Sequence, residues 1–179
     1  SKQKDVSGRH ELETYFLENG FKAHGDYLMD AGKIAEAMQA YGAADAFIEK
    51  AEKTGRYVSE IVSYYRHAAE RLAAAGEPAA RAFAGRLYQE AYDIFVKRGI
   101  LQNEIPVFAG IVKGLAETKY ANAADSALLK KFSMYGDALD FVSEHTIAPD
   151  GSIALSARDA KIVADQIIGP MVETGFALA

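Results

Sequence analysis

The chain has 179 residues, half of them hydrophobic, with 20 Lys and Arg against 25 Asp and Glu and a formal charge of −5. That length suits one domain, or a domain with an extension, and the apolar half is enough to fill a sizeable core. A mildly acidic chain lacks the basic field that draws nucleic acid or an anionic membrane surface. The absence of cysteine excludes disulfides, thiolate zinc sites and cysteine nucleophiles.

No apolar run is long enough to cross a bilayer, so no membrane insertion is expected. The start, SKQKDVSGRHELE, is polar and shows no hydrophobic signal core. A cytoplasmic location is therefore expected, with export by processing left open.

In chain order, residues 1–10 read as a flexible N-terminal segment. Leu12, Tyr15, Phe16 and Leu17 begin a helical apolar pattern, which Asn19-Gly20 interrupts as a turn or C-cap would. Phe21 to Asp30 resumes it, and Ala31-Gly32 breaks it again. The clearest helix follows: Ile34, Ala37, Met38, Tyr41, Ala44, Ile48 and Ala51 recur at three- and four-residue steps, one face of a helix that runs to Thr54-Gly55. The next spans Ser59 to Ala75 with Ile61, Tyr64, Tyr65, Ala68 and Leu72 as its stripe, and Gly76 stops it. Pro78 suits a first turn, where its missing N–H costs little, and Phe83, Ala84, Leu87, Ala91, Ile94 and Phe95 carry that helix to Gly99.

Asn103 is read as an N-cap with Pro106 in the first turn. Phe108, Ile111, Val112 and Leu115 form a stripe that Gly110 and Gly114 weaken. Asn122 with Asp125 reads as a cap and a first-turn acid, ahead of a helix through Leu128, Phe132, Tyr135, Leu139 and Val142 to about His145. Pro149-Asp150-Gly151 is a turn. Ser156 with Asp159 caps a last helix, which Gly169-Pro170 is expected to kink or end. No stretch alternates with period two. The chain is predicted to be all-α, with seven to eight amphipathic helices in antiparallel hairpins, as an irregular solenoid or a compact bundle. The division expected is a helical-hairpin domain over residues 11–148, with a turn and C-terminal helix over 149–179 packed on it.

Within Glu18 to Ala51 the spacing of Phe21, Gly25, Leu28, Gly32, Ile34, Ala37, Tyr41 and Ala44 resembles the tetratricopeptide repeat, a unit of about 34 residues folded as two helices. Small residues at Gly25 and Ala37 would let two backbones approach, and Phe21 and Tyr41 would fill the groove beside them. His24 stands where that family has an apolar residue, and Glu49 where it often has proline. Gly55, Tyr57, Ile61 and Tyr64 repeat the spacing of Gly32, Ile34, Met38 and Tyr41, and Ala84, Tyr88 and Ala91 echo Ala37, Tyr41 and Ala44, at no constant period.

The resemblance implies a scaffold that binds a protein or peptide on the inner face of its first helices, at Asn19, Lys22, Asp26, Met29 and Asp30. Family members that clamp a C-terminal carboxylate use Lys and Asn there. Lys22 fits one such place, but Asp26 stands where the clamp has Asn and would repel a carboxylate. Recognition of a peptide's C-terminus is therefore not expected.

In Tyr64-Tyr65-Arg66-His67, a tyrosine is read as packing inward, with Arg66 and His67 towards solvent. His10, His24 and His145 share no pattern. No glutamate precedes a histidine by three residues, and no two histidines are four apart, so helical di-metal and zinc-protease spacings are absent. Asp150-Gly151-Ser152-Ile153 resembles the middle of a calcium loop, yet Thr146, Ala148 and Ala157 occupy ligand places. No phosphate-binding glycine loop or dinucleotide fingerprint occurs. Tyr64, Tyr88, Tyr92 and Tyr120 are read as seam fillers between helices.

The expected function is thus a non-enzymatic peptide- or protein-binding adaptor with a groove between helices. No catalytic residue, metal site or cofactor is assigned, no nucleic-acid partner is expected, and homo-oligomerisation is left open. Two alternatives stand beside it: a self-associating assembly component, and a helical pocket protein for an apolar small molecule.

Overall fold

The fold, obtained as a computed structural model, is described for residues 15–52, 58–121, 124–146 and 155–179. The readings at residues 1–10, Leu12, Thr54-Gly55, Tyr57, Asn122 and the segment from Ala148 to Ile153 lie outside those residues.

Among the described residues every regular element is helical, so the fold is all-α. A wide π-type turn, Phe16–Lys22, leads into α1 (Ala23–Asp30), followed by α2 (Ile34–Gly42), α3 (Asp45–Glu52), α4 (Val58–Ala74) and α5 (Pro78–Arg98). A short 3₁₀ turn, Gln102–Glu104, opens α6 (Ile105–Lys119), and α7 (Asp125–Thr146) follows. Last come α8 (Ala157–Val163), a second π-type turn (Ala164–Ile168) and α9 (Gly169–Leu178). None of these helices is long and apolar enough to cross a membrane. The chain divides into two units, Ser1–Leu87 and Tyr88–Ala179, with the boundary inside α5.

In the first unit, α1 and α2 pack against each other across the turn Ala31-Gly32-Lys33. Lys33 N–H reaches the Leu28 carbonyl at 2.9 Å, and Gly32 N–H reaches that of Met29 at 3.0 Å. This paired closure needs a left-handed residue, which Gly32 supplies at φ +71°. Most of the expected stripes are core: Ala37, Tyr41, Ala44, Ile48, Ile61, Tyr64, Tyr65, Ala68 and Leu72 are buried, whereas Ile34 and Met38 are only half-buried.

Two expectations in this unit are corrected. Asn19-Gly20 does not end a helix; both lie inside the turn Phe16–Lys22, whose wider coil carries the chain onward with Leu17 buried. The long helix predicted from Ile34 to Ala51 is broken at Ala43-Ala44. In an uninterrupted helix the Tyr41 carbonyl would accept from Asp45. Here it accepts the buried Tyr64 hydroxyl at 2.8 Å and the Ala44 N–H at 3.3 Å.

In the second unit, Phe108 sits among three rings: Tyr92 stacked at 5.6 Å, Phe95 edge-on at 5.6 Å and Phe141 at 5.1 Å. Pairs at such distances add to the burial that holds α5, α6 and α7 together. Asn103 is not the cap of α6. It lies in the 3₁₀ turn, and the Glu104 carboxylate accepts the Leu101 N–H at 3.0 Å while Arg98 donates to both its oxygens at 2.9 and 2.7 Å. Gly136 leaves α7 unbroken. Ser156 caps α8 as expected, accepting from Asp159 N–H at 3.1 Å. Gly169-Pro170 does not end the helical run. The π-type turn places Pro170 in the first turn of α9, where its missing N–H is tolerated.

Two close approaches depend on glycine. A Cβ on Gly25 would overlap the Tyr41 ring, and one on Gly114 would overlap the Tyr88 ring. The small residue at 25 thus serves the Tyr41 ring directly, in addition to the buried Ala37 beside it. Gly25→Ala and Gly114→Ala should each destabilise by about 1–3 kcal/mol through overpacking. Gly20→Ala, whose nearest neighbour would stand 4.0 Å away, should be neutral or stabilise by up to about 1 kcal/mol. Urea unfolding followed by circular dichroism separates the two cases.

Candidate functional site

Asp26 projects from α1 beside Gly25, the position at which the Tyr41 ring crosses the helix. The Tyr41 hydroxyl donates to Asp26 Oδ1 at 2.6 Å. His67 Nε2, from α4, stands 2.8 and 3.0 Å from the two carboxylate oxygens; a carboxylate only accepts, so the ring nitrogen donates. One turn on, Arg71 places Nε 3.6 Å from Asp26 Oδ1 and donates to Asp30 through Nη2. One carboxylate therefore ties α1, α2 and α4.

Burial alone pushes the Asp26 carboxyl upward, but the Tyr41 hydroxyl, the His67 hydrogen bond and charge, and the Arg71 charge together hold it below its ordinary value. Burial and the Asp26 carboxylate both raise the Tyr41 phenol, which stays a donor. The Arg71 guanidinium is raised by its hydrogen bond to Asp30. The cluster holds a histidine oriented by a carboxylate, yet among the described residues no serine or threonine hydroxyl is bonded to His67. Among the same residues no group of three or more acids and histidines could hold a metal ion.

The five residues placed on the binding face by sequence are distributed unevenly. Asn19 and Asp30 are exposed, and Lys22, Asp26 and Met29 are half-buried. Lys22 pairs with Glu18 at 2.5 Å, while Asp26 and Asp30 are taken up by Tyr41, His67 and Arg71. His67 and Arg66 do not simply face solvent: both are half-buried, and His67 is turned onto Asp26. Tyr64 and Tyr65 are both buried, as the stripe predicts. A signal for the cluster was present. Asp26 and Asp30 lie four apart on one helix, as do His67 and Arg71 on another, with opposite signs.

A second feature of the first unit is a cleft of about 600 Å³ between α2 and the start of α5. Ala35, Met38 and Gly42 form one wall, and Ala79, Phe83 and Arg86 the other. The Arg86 guanidinium lies 4.5 Å over the Phe83 ring and donates to Asp45 Oδ2 at 3.0 Å. Gln39 and Glu77 also line it; a mostly apolar trough with a few polar groups is the usual make-up of a ligand groove. Neither Phe83 nor Arg86 was singled out by sequence as a site residue, because the cleft joins helices far apart in the chain.

No protein-family model, curated protein or solved structure matches the chain.

The Asp26 cluster predicts a pH signature. A carboxyl lowered in the folded state contributes stability that is full above its ordinary value of 3.8 and fades as pH falls through the lower, folded value. Asp26→Asn should therefore cost about 1–3 kcal/mol at neutral pH, from the lost charged hydrogen bonds, and progressively less as the pH drops below that value. Urea titrations of both proteins across that range check the convergence.

Proposed function

We propose that the chain is a tetratricopeptide-like, non-enzymatic helical scaffold that binds a protein or peptide segment. The observation that carries this reading is the cleft between α2 and α5. It is mostly apolar along its walls, is also lined by Gln39 and Glu77, carries the Arg86–Asp45 pair, and is open to solvent. The α1–α2 hairpin with its Gly32 turn supports the family resemblance. An extended or helical segment would seat an apolar side chain between Met38 and Phe83, with a polar neighbour meeting Arg86 or Asp45. Asn19, Lys22 and Met29 form a second candidate face. On it, the charges at Lys22, Asp26 and Asp30 are already engaged within the fold.

A peptide library displayed on phage tests this. Ala79 is exposed at the mouth of the cleft, so Ala79→Trp fills the trough without touching the core. Selected peptides should lose about tenfold or more in affinity for Ala79→Trp, and change little when Asn19, Lys22 and Met29 are all replaced by alanine. Failure to select any sequence, or binding that ignores Ala79→Trp, would count against the cleft.

A second reading, self-association, is favoured by one observation in the second unit. Phe132 lies against Gly175, and Leu129, Val172 and Phe176 beside them are also exposed. Sedimentation velocity should then show an oligomer that Val172→Asp with Phe176→Asp disperses. A monomer at every concentration would remove this reading.

A further inference from the structure

The second unit carries its own cleft, of about 310 Å³, formed by α5, α6 and α7. Its floor is apolar and buried, made of Leu115 and Met134. One wall is Tyr92, whose ring is stacked on Phe108 and so held in place. Gln89 is held on both sides: its amide N–H donates to Asp93 at 2.7 Å and its oxygen accepts from Lys119 at 2.7 Å.

The α7 side differs. Lys130, Ser133 and Asp137 all line the cleft, at positions that fall on one helical face. Among the described residues none of the three side chains makes a hydrogen bond or ion pair. Asp137 nonetheless faces the cleft closely enough to add to burial in raising the Tyr92 phenol. The site thus presents a cation at one end, a carboxylate about 10 Å along the helix at the other, a hydroxyl between them, and an apolar floor.

We propose that this cleft binds a small zwitterion with an apolar body between its two charges, of the ω-amino-acid or dipeptide class. Its carboxylate meets Lys130 and its ammonium meets Asp137. Volume agrees, since the cleft lies at the lower end of the range that encloses small ligands. Specificity follows from charge order: a molecule carrying only one of the two charges leaves the opposite end of the site unpaired. This site is separate from the α2–α5 cleft and does not depend on it.

Three probes of equal chain length test the inference on the full chain: 6-aminohexanoate, hexanoate and hexylamine. Backbone amide shifts of Tyr92, Tyr120, Ser133 and Asp137 should move saturably with 6-aminohexanoate. Its affinity should exceed that of either single-charge probe by about tenfold, the scale of one charge-assisted hydrogen bond. Lys130 and Asp137 are exposed, so Lys130→Met and Asp137→Asn should leave the fold intact. Asp137→Asn should reduce binding of 6-aminohexanoate to the level of hexanoate, and Lys130→Met to that of hexylamine. Equal affinity for the three probes, no saturable shift, or zwitterion binding that survives both substitutions would overturn it.

Discussion

One residue holds the first unit together at three points. The face of the Tyr41 ring lies where Gly25 leaves α1 bare. Its hydroxyl ends on Asp26, and its carbonyl receives the hydroxyl of Tyr64. The three contacts have different consequences. The first sets how closely α1 and α2 approach, the second fixes the carboxylate that His67 and Arg71 address, and the third takes a carbonyl out of the helix and separates α2 from α3. Burial of a phenol without a partner would be costly, and both tyrosines here find one.

The second unit uses the same device with the order of the chain reversed. There the tyrosine comes first, at Tyr88, and the glycine that accommodates it second, at Gly114. A large flat ring over a bare stretch of backbone lets two helices pack closely. The rest of that core is aromatic: Phe108 collects Tyr92, Phe95 and Phe141 around it. Tyrosine as a seam filler, expected from composition, describes Tyr64 and Tyr88 well. Tyr92 is half-buried and also forms the wall of a cleft.

Helical faces were legible because burial follows the helical period. Ile61, Tyr64, Ala68 and Leu72 are buried for the reason that made them visible. Gly32, Gly76 and Gly99 all have positive φ, so their reading as helix stops reflects a backbone state that glycine adopts readily. What escaped depends on partners distant in sequence. The break at Ala43-Ala44 depends on a hydroxyl 23 positions beyond Tyr41, and the Asp26 site on residues 41 and 45 positions away. Asn103 was the better cap by residue type, but Glu104 had Arg98 to hold it. The two clefts draw walls from separate helices, and no local pattern announces such a meeting.

The two π-type turns have a consequence for how the chain tolerates changes in length. An α-helix advances about 100° per residue, so one residue gained or lost in α4 would swing every later side chain off its face. Phe16–Lys22 and Ala164–Ile168 each already contain the extra residue that such a turn absorbs. Losing one residue there would return the backbone to ordinary pitch instead of creating a defect. At these turns the chain can lose a residue and still present the same buried faces.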